Sequence, residues 1–578
     1  MTNYAKHISS KVTPQSEKIF GSNQAKNNAG GYSFQIDKWG RFNRFLVLGS
    51  EGGTYYASEH KLTVENANAV IECIKENGQK VVDTVVELSH SGRIPKNDTA
   101  IFALALAVKY GNDATRAYAY QNLSNVCRTA THLFQFLSVA DSIGKGTGLG
   151  MRKAIQRWYN DKDLDKLALQ VIKYRNREGF EHRDALRLAH LKTSEAARNE
   201  IYQWIAWNKY KTGKDAPASK KSGEAEKFAG KHSQIMSWVN SHYDDKGILT
   251  AQVHPLINAF ERAQRATSPS EIVSLITEHK LPREAVPTQL LNTVEVWEAL
   301  LPHMPMTAMI RNLGTMSKIG LLKPLSSAAK LVTEKLADVE AIHKARVHPI
   351  QILSALRVYG QGHGFRSDAS WTPVQTVVDA LDAAFYTAFK NVEPTGKRIM
   401  LSLDVSGSMG GGEIAGVPGL TPRDASGALA MVTAKVEKQV YINGFTAGNS
   451  PTMHSGYGAA ISDLNIGSRN SLNEVIQKIS NLQFGGTDCA LPMLHAIEKK
   501  LEVDTFVIFT DSETWAGKIH PSQALNQYRQ KTGIPAKLIV VGMTATDFTI
   551  ADPNDAGMMD VVGFDSSAPS LMSDFIKA

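Results

Sequence analysis

The sequence predicts two unlike folds in series: an α-helical, HEAT-like repeat array, then a doubly wound α/β domain. Three observations carry this. From about residue 63 to 390, apolar residues recur at three- and four-residue intervals in short runs separated by glycine-rich breaks. Beyond Glu393-Pro394-Thr395-Gly396, short apolar strands alternate with helices, the pattern of a parallel sheet covered on both faces. The charge switches at the same place. Lys397 to Ala578 holds 14 basic and 18 acidic residues (net −4), leaving 50 basic against 38 acidic (net +12) in residues 1–396.

A chain of 578 residues is long enough for more than one domain. With 43% apolar and 21% charged residues it is an ordinary globular composition, which excludes wholesale disorder and fibrous classes. Cys73, Cys127 and Cys489 are far apart and show no Cys-x-x-Cys spacing. That argues against a disulfide scaffold or a cysteine zinc site and fits a reducing compartment. Met1 to Lys18 has no signal-like apolar core, and no apolar stretch is long enough to span a bilayer. A soluble cytoplasmic protein is expected.

Residues 1–30 are polar and aperiodic and read as a flexible lead-in. Tyr32 to Tyr56, with Phe42, Phe45, Leu46, Val47 and Leu48, reads as short strands around a turn. Residues 31–394 form the helical region. Its early helices are Val64 to Glu76, Val81 to Ser89, Thr99 to Lys109, Ala114 to Val126, Thr129 to Asp141 and Met151 to Tyr159, with a break at Gly78. The Lys-rich stretch Tyr210 to Glu226 reads as a surface loop. Residues 395–578 form the α/β domain. Strands are expected at Arg398 to Leu403, Val440 to Phe445, Thr505 to Phe509 and Lys537 to Val541. Helices are expected at Asp424 to Glu437, Leu472 to Leu482, Ala490 to Leu501, Pro521 to Lys531 and Pro569 to Ile576.

The first of these strands runs into Asp404-Val405-Ser406-Gly407-Ser408. In a doubly wound sheet, ligands bind beyond the carboxyl ends of the strands. One carboxylate and two hydroxyls at alternate positions can turn inward together, and oxygen-only ligation suits a hard cation such as Mg²⁺. Gly485-Gly486-Thr487-Asp488 and Phe509-Thr510-Asp511-Ser512 bring further oxygens to matching loops. The set resembles the von Willebrand factor A domain and its metal-ion-dependent adhesion site. The resemblance assigns the metal to Asp404, Ser406, Ser408, Thr487 and Asp511.

Catalytic signatures are missing. The second acid of an aspartyl-phosphate phosphatase is replaced by Ser406. Gly144-Lys145-Gly146-Thr147-Gly148-Leu149-Gly150 has the glycines of a phosphate loop but not the spacing. Neither His-Glu-x-x-His nor a Gly-x-Ser-x-Gly elbow with partners occurs. A non-enzymatic role is expected.

In the helical region, a helix from Asp163 to Arg177 puts Leu164, Leu167, Ala168 and Val171 on one face, with Lys173 and Arg177 on the other. After a turn at Glu178-Gly179-Phe180, a second helix begins at His182 and carries Arg183, Arg187 and His190. These six residues could meet phosphates and stack on unpaired bases. The competing reading is a solvated face laced with ion pairs, since Asp163, Asp165, Glu178, Glu181 and Asp184 are close in sequence.

Several segments resemble the TROVE domain of the Ro autoantigen ribonucleoproteins: Arg44 to Tyr56, His182 to His190, Leu281 to Gly314, and Val347-His348-Pro349. A TROVE region followed by an A domain is the layout of that family, bacterial members included. The resemblance implies a HEAT-like ring that binds RNA. Small noncoding Y-like RNA would bind its outer surface, with Lys173, Arg177, His182 and His190 at the matching positions. Single-stranded ends of misfolded RNA would enter its hole. It also implies a monomer, a role in RNA quality control or decay, and polynucleotide phosphorylase as a partner. The alternative is an adhesion-type scaffold whose A domain binds a protein carboxylate through Mg²⁺.

Overall fold

The computed structural model describes residues 12–51, 53–210, 225–364, 368–389, 392–417, 419–447, 460–480 and 485–578. Most of the Lys-rich stretch Tyr210 to Glu226 and the first eleven residues of the expected lead-in lie outside them. The chain forms two compact units. One comprises Gly78–Val86 and Ala100–Val332; the other comprises Met1–Asn77, Glu87–Thr99 and Thr333–Ala578.

The first unit is helical. Its early helices include Asp113–Gln121, Ala130–Ser142, Leu149–Asn160 and Leu164–Lys173. Each start has a local cause. Asn112 accepts from the backbone of Thr115 at 2.8 Å and Asp163 from that of Lys166 at 2.7 Å, satisfying amides that lack a helical partner. Phe134, Phe136, Trp158 and Tyr159 are fully buried and fill the core. The expected break at Gly78 falls inside one helix, Glu59–Ser91, which is kinked at Asn77 (φ −152°, ψ 84°). Gly78 itself serves close packing: a Cβ there would lie 2.3 Å from the Thr115 hydroxyl.

The second unit is built on a six-stranded sheet. Its order is Met558–Val562, Lys537–Gly542, Thr505–Thr510, Arg398–Asp404, Gln439–Phe445, Ile461–Asp463. All neighbours are parallel except the last pair. The central strands are buried apart from Arg398 at the start of one, which is why they read as continuous apolar runs. The expected strands and helices lie within three residues of those observed, the expected end at Leu482 lying outside the described residues. The edge strands Ile461–Asp463 and Met558–Val562 escape sequence reading because half-exposed polar residues interrupt them.

Two expectations are corrected. Residues 12–30 are not a flexible lead-in but are packed on this unit. The Gln15 amide, fully buried, donates to Asp488 and to the Ile519 carbonyl, both at 2.8 Å. Asn27 donates to the Thr514 carbonyl at 2.8 Å and Asn28 to Glu513 at 2.7 Å. Polar side chains bind this segment to backbone, so it leaves no hydrophobic periodicity. Among the described residues of Tyr32 to Tyr56, only Tyr32–Gln35 is a strand, paired with Ala25–Lys26 and Phe548–Thr549. Phe42, Phe45, Leu46, Val47 and Leu48 belong to a helix, Lys38–Leu48. Asp37 caps it by accepting from Gly40 at 2.7 Å, and Gly49 ends it at φ 69°.

That helix buries Arg44 at 1% exposure. Its guanidinium donates to the Phe548 carbonyl at 2.8 Å and meets Asp560 at 2.5 Å. Removing one partner of a buried pair leaves the other uncompensated. Arg44→Met is expected to destabilise this unit by about 3 kcal/mol, measured as a lower urea midpoint for the transition that unfolds the sheet.

Candidate functional site

The sequence-predicted basic residues do not form one patch. The helix Leu164–Lys173 ends at Lys173, whose ammonium lies 5.2 Å from the Tyr174 ring. Arg177 is not on that helix. It sits in a two-residue strand paired with Phe180–Glu181, exposed and ion-paired to Glu178 at 3.0 Å. The short hairpin forms because Gly179 takes φ 79° at its tip.

His182 is not a surface residue either. It is 4% exposed. Its Nε2 lies 3.0 Å from the Tyr174 carbonyl and must donate there, so Nδ1 accepts from the Tyr159 hydroxyl at 2.8 Å. Its ring meets Phe134 edge to face at 5.0 Å. Burial pushes the imidazole down to about 4. It is a neutral core residue joining three helices.

Arg183, Arg187 and His190 do come together. The helix His182–Ala189 is opened by a capping box between Glu181 and Asp184, and His190 ends it at φ 50°. The three residues line a cleft of about 1030 Å³. Arg152, from the helix Leu149–Asn160, and Lys192 line it too, as do Tyr202 and Trp207 from the helix Ala196–Trp207. Arg183 is paired with Glu181 at 2.8 Å. Among the described residues, Arg152, Arg187 and Lys192 have no ion-pair partner. The Nε atoms of Arg152 and Arg183 are buried without a hydrogen-bond partner there. Sequence reasoning missed Arg152, Lys192 and the aromatic wall, because three separate helices bring them together.

The second site lies at the carboxyl ends of adjacent strands. Asp404, Ser406, Ser408, Thr487 and Asp511 are all at most 4% exposed. Asp404 accepts from the Ser406 backbone at 2.9 Å and from the Thr510 hydroxyl at 2.7 Å. The Ser406 and Ser408 hydroxyls are 3.1 Å apart. Gly407 donates to the Gly485 carbonyl at 3.3 Å, tying the first loop to the one carrying Thr487. Arg423, which sequence reasoning missed, donates to the Ser406 carbonyl at 2.9 Å. Burial and then the Asp404 charge push Asp511 up; burial raises Asp404 against its hydroxyl partners. Two buried carboxylates with clustered hydroxyls fit a small divalent cation, which would offset like charges taken out of water. Among the described residues, no three of His, Cys, Asp and Glu gather into an alternative metal cluster. Cys73, Cys127 and Cys489 are buried thiols outside any disulfide, each pushed up by burial and so poor nucleophiles.

A helical region with a cation-lined cleft, continued by an A-type domain with this oxygen set, defines a TROVE–A-domain protein. The TROVE domain model matches residues 25–357 and the Ro60 vWA domain model residues 398–576. RNA-binding protein RO60 of Deinococcus radiodurans is 39% identical over 100% of this chain and 99% of its own length. RNA-binding protein RO60 of Caenorhabditis elegans is 35% identical over 98% of this chain and 92% of its own. The crystal structure of the Deinococcus radiodurans RO (RSR) protein matches with a TM-score of 0.63 at 39% identity, covering 94% of this chain and 99% of that one. The chain belongs to the Ro family. No helix among the described residues is long and apolar enough to cross a membrane.

The buried imidazole has a consequence for acid stability. Between its ordinary 6.5 and about 4, the unfolded chain binds a proton at His182 that the folded chain refuses. Stability at this position is therefore full above pH 6.5 and falls as pH drops through that window, by roughly 3 kcal/mol in all. Urea titrations at pH 7 and pH 4.5 should show a smaller acid loss in His182→Gln than in the unmodified chain.

Proposed function

We propose that this chain is a non-enzymatic RNA-binding protein. It takes up small noncoding Y-like RNA and single-stranded ends of misfolded RNA, and it acts as a cytoplasmic ribonucleoprotein in RNA quality control or decay. The observation that carries this is the cleft, where Arg152, Arg187 and Lys192, without ion-pair partners among the described residues, converge beside aromatic rings. Cations of that kind neutralise phosphates, and rings stack on unpaired bases. Support comes from relatives named RNA-binding proteins that align along the whole chain. Lys173 and Arg177 extend the cation set outside the cleft, whereas His182 would act only by holding the helix His182–Ala189 in place. A monomeric chain that hands RNA to polynucleotide phosphorylase is the fuller form of this reading.

We also propose that Asp404, Ser406, Ser408, Thr487 and Asp511 hold Mg²⁺. The cation would neutralise the paired carboxylates and fix the three loops. Near-complete burial of the five donors weighs against the adhesion alternative, which needs an open face for a partner's carboxylate.

Two measurements test these readings. With a labelled small RNA, Arg183→Ala with Arg187→Ala should weaken binding and reduce the slope of log affinity against log salt by about 1.4 for a single-stranded target. An unchanged slope counts against the cleft. Mg²⁺ at about a hundred times its Kd should add about 2.7 kcal/mol to the stability of the sheet-containing unit. Asp404→Ala should abolish that gain in a calorimetric scan.

A further inference from the structure

We propose that the cleft has a base-reading wall, formed by Asn199, Gln203 and Trp207, that accepts an unpaired nucleotide of RNA. This rests on the RNA-binding reading and adds a recognition role for residues outside the basic set.

The three residues are spaced four apart on the helix Ala196–Trp207, so they lie along one face, and all three line the cleft. The helix His182–Ala189, with His190 at its end, contributes Arg183, Arg187 and His190 at a matching repeat. One stripe is therefore cationic and the other offers two amides and an indole. Among the described residues, the side-chain amides of Asn199 and Gln203 have no hydrogen-bond partner. Trp207 is half-buried, and an edge-on contact with Trp238 at 5.7 Å orients its ring. Arg152 also lines the cleft, with its Nε buried and unpartnered. Among the described residues, the one carboxylate lining the cleft, Asp184, is engaged by the Glu181 backbone at 3.1 Å.

The chemistry selects the ligand. A side-chain amide presents donor and acceptor together, which complements the Watson–Crick edge of a base. In a duplex that edge is already occupied, so the amides have a target only on an unpaired base. The indole supplies a stacking surface, and the cations supply phosphate contacts. An acidic peptide would use the cations but leave the amides and indole without work. The volume of about 1030 Å³ stands at the upper end of the roughly 300–1,000 Å³ usual for small-molecule pockets, ample for one nucleotide.

The test uses the full chain, a labelled short single-stranded oligoribonucleotide, and the same sequence as a duplex, read by fluorescence anisotropy across a salt series. Trp207→Ala should weaken single-strand binding about 5–100-fold with the salt slope unchanged, and Trp207→Phe should restore much of it. Asn199→Leu with Gln203→Leu should flatten the preference among homo-oligomers of the four bases. Arg187→Ala should instead lower the slope. Wild-type single-strand affinity in both Trp207→Ala and the amide variant, with loss in Arg187→Ala, overturns the base-reading wall while leaving RNA binding intact. Failure of the unmodified chain to bind any RNA overturns the underlying reading. Competition by a hexaglutamate peptide that is weakened by Trp207→Ala reassigns the cleft to acidic peptides and overturns the proposal as well.

Discussion

The strand Arg398–Asp404 ends on a carboxylate taken wholly out of water, beside a second one at Asp511. Burying polar groups is costly unless each finds a partner, and this constraint organises the rest of the molecule. Around Asp404 it draws in the Ser406 amide and the Thr510 hydroxyl. Further out it explains why Gln15, Asn27 and Asn28 bind the loop after Asp511, because that loop exposes carbonyls and the Glu513 carboxylate that need donors. The same rule puts Arg44 against two carbonyls and Asp560. Arg44 meets the rule through its terminal nitrogens, while its Nε stays buried without a partner among the described residues. At the like-charged pair the rule is not fully met, and the fold holds a position suited to a cation.

The helical unit repeats this division. His182 satisfies both ring nitrogens and joins the helices around it. Arg183, the next residue, leaves an Nε buried and unpartnered among the described residues, as does Arg152 on the helix Leu149–Asn160. Position on the same short helix therefore does not make residues equivalent. His182 points to the core and Arg183 to the cleft, although they are adjacent in sequence.

This explains what could be read from sequence. The parallel sheet was legible because strands buried on both faces are continuous apolar runs, and Asp404 and Asp511 follow two of them directly. The strap at residues 12–30 was not legible, because Asn and Gln side chains hold it through bonds that leave no periodicity. The helix Lys38–Leu48 was misread because Phe45 to Leu48 is a short apolar run that fits either a strand or a buried helix. The cap at Asp37 and the stop at Gly49 decide the matter. For the basic residues, spacing gave the face of Arg183, Arg187 and His190 correctly. It misplaced Arg177, since the helix ends at Lys173 and a hairpin intervenes. The spacing of Asn199, Gln203 and Trp207 was present in the sequence, but polar residues on a helix face mean little until an opposing face is known.

The net charge of residues 1–396 is +12, yet charge of that size is not itself a binding site. Many of its 50 basic residues are tied locally and add nothing to the excess: Arg116 to Asp113, Lys166 to Asp163, Arg177 to Glu178, Arg198 to Glu195. Exposed pairs of this kind are worth little for stability, but each one mutes a cation toward outside ligands. What distinguishes Arg152, Arg187 and Lys192 is that they lack such neighbours among the described residues and face one concave space. A cleft concentrates the field of a few uncompensated charges more than a convex surface does with many compensated ones. The functional content of the +12 is therefore set by which cations the fold leaves unpaired and where it points them.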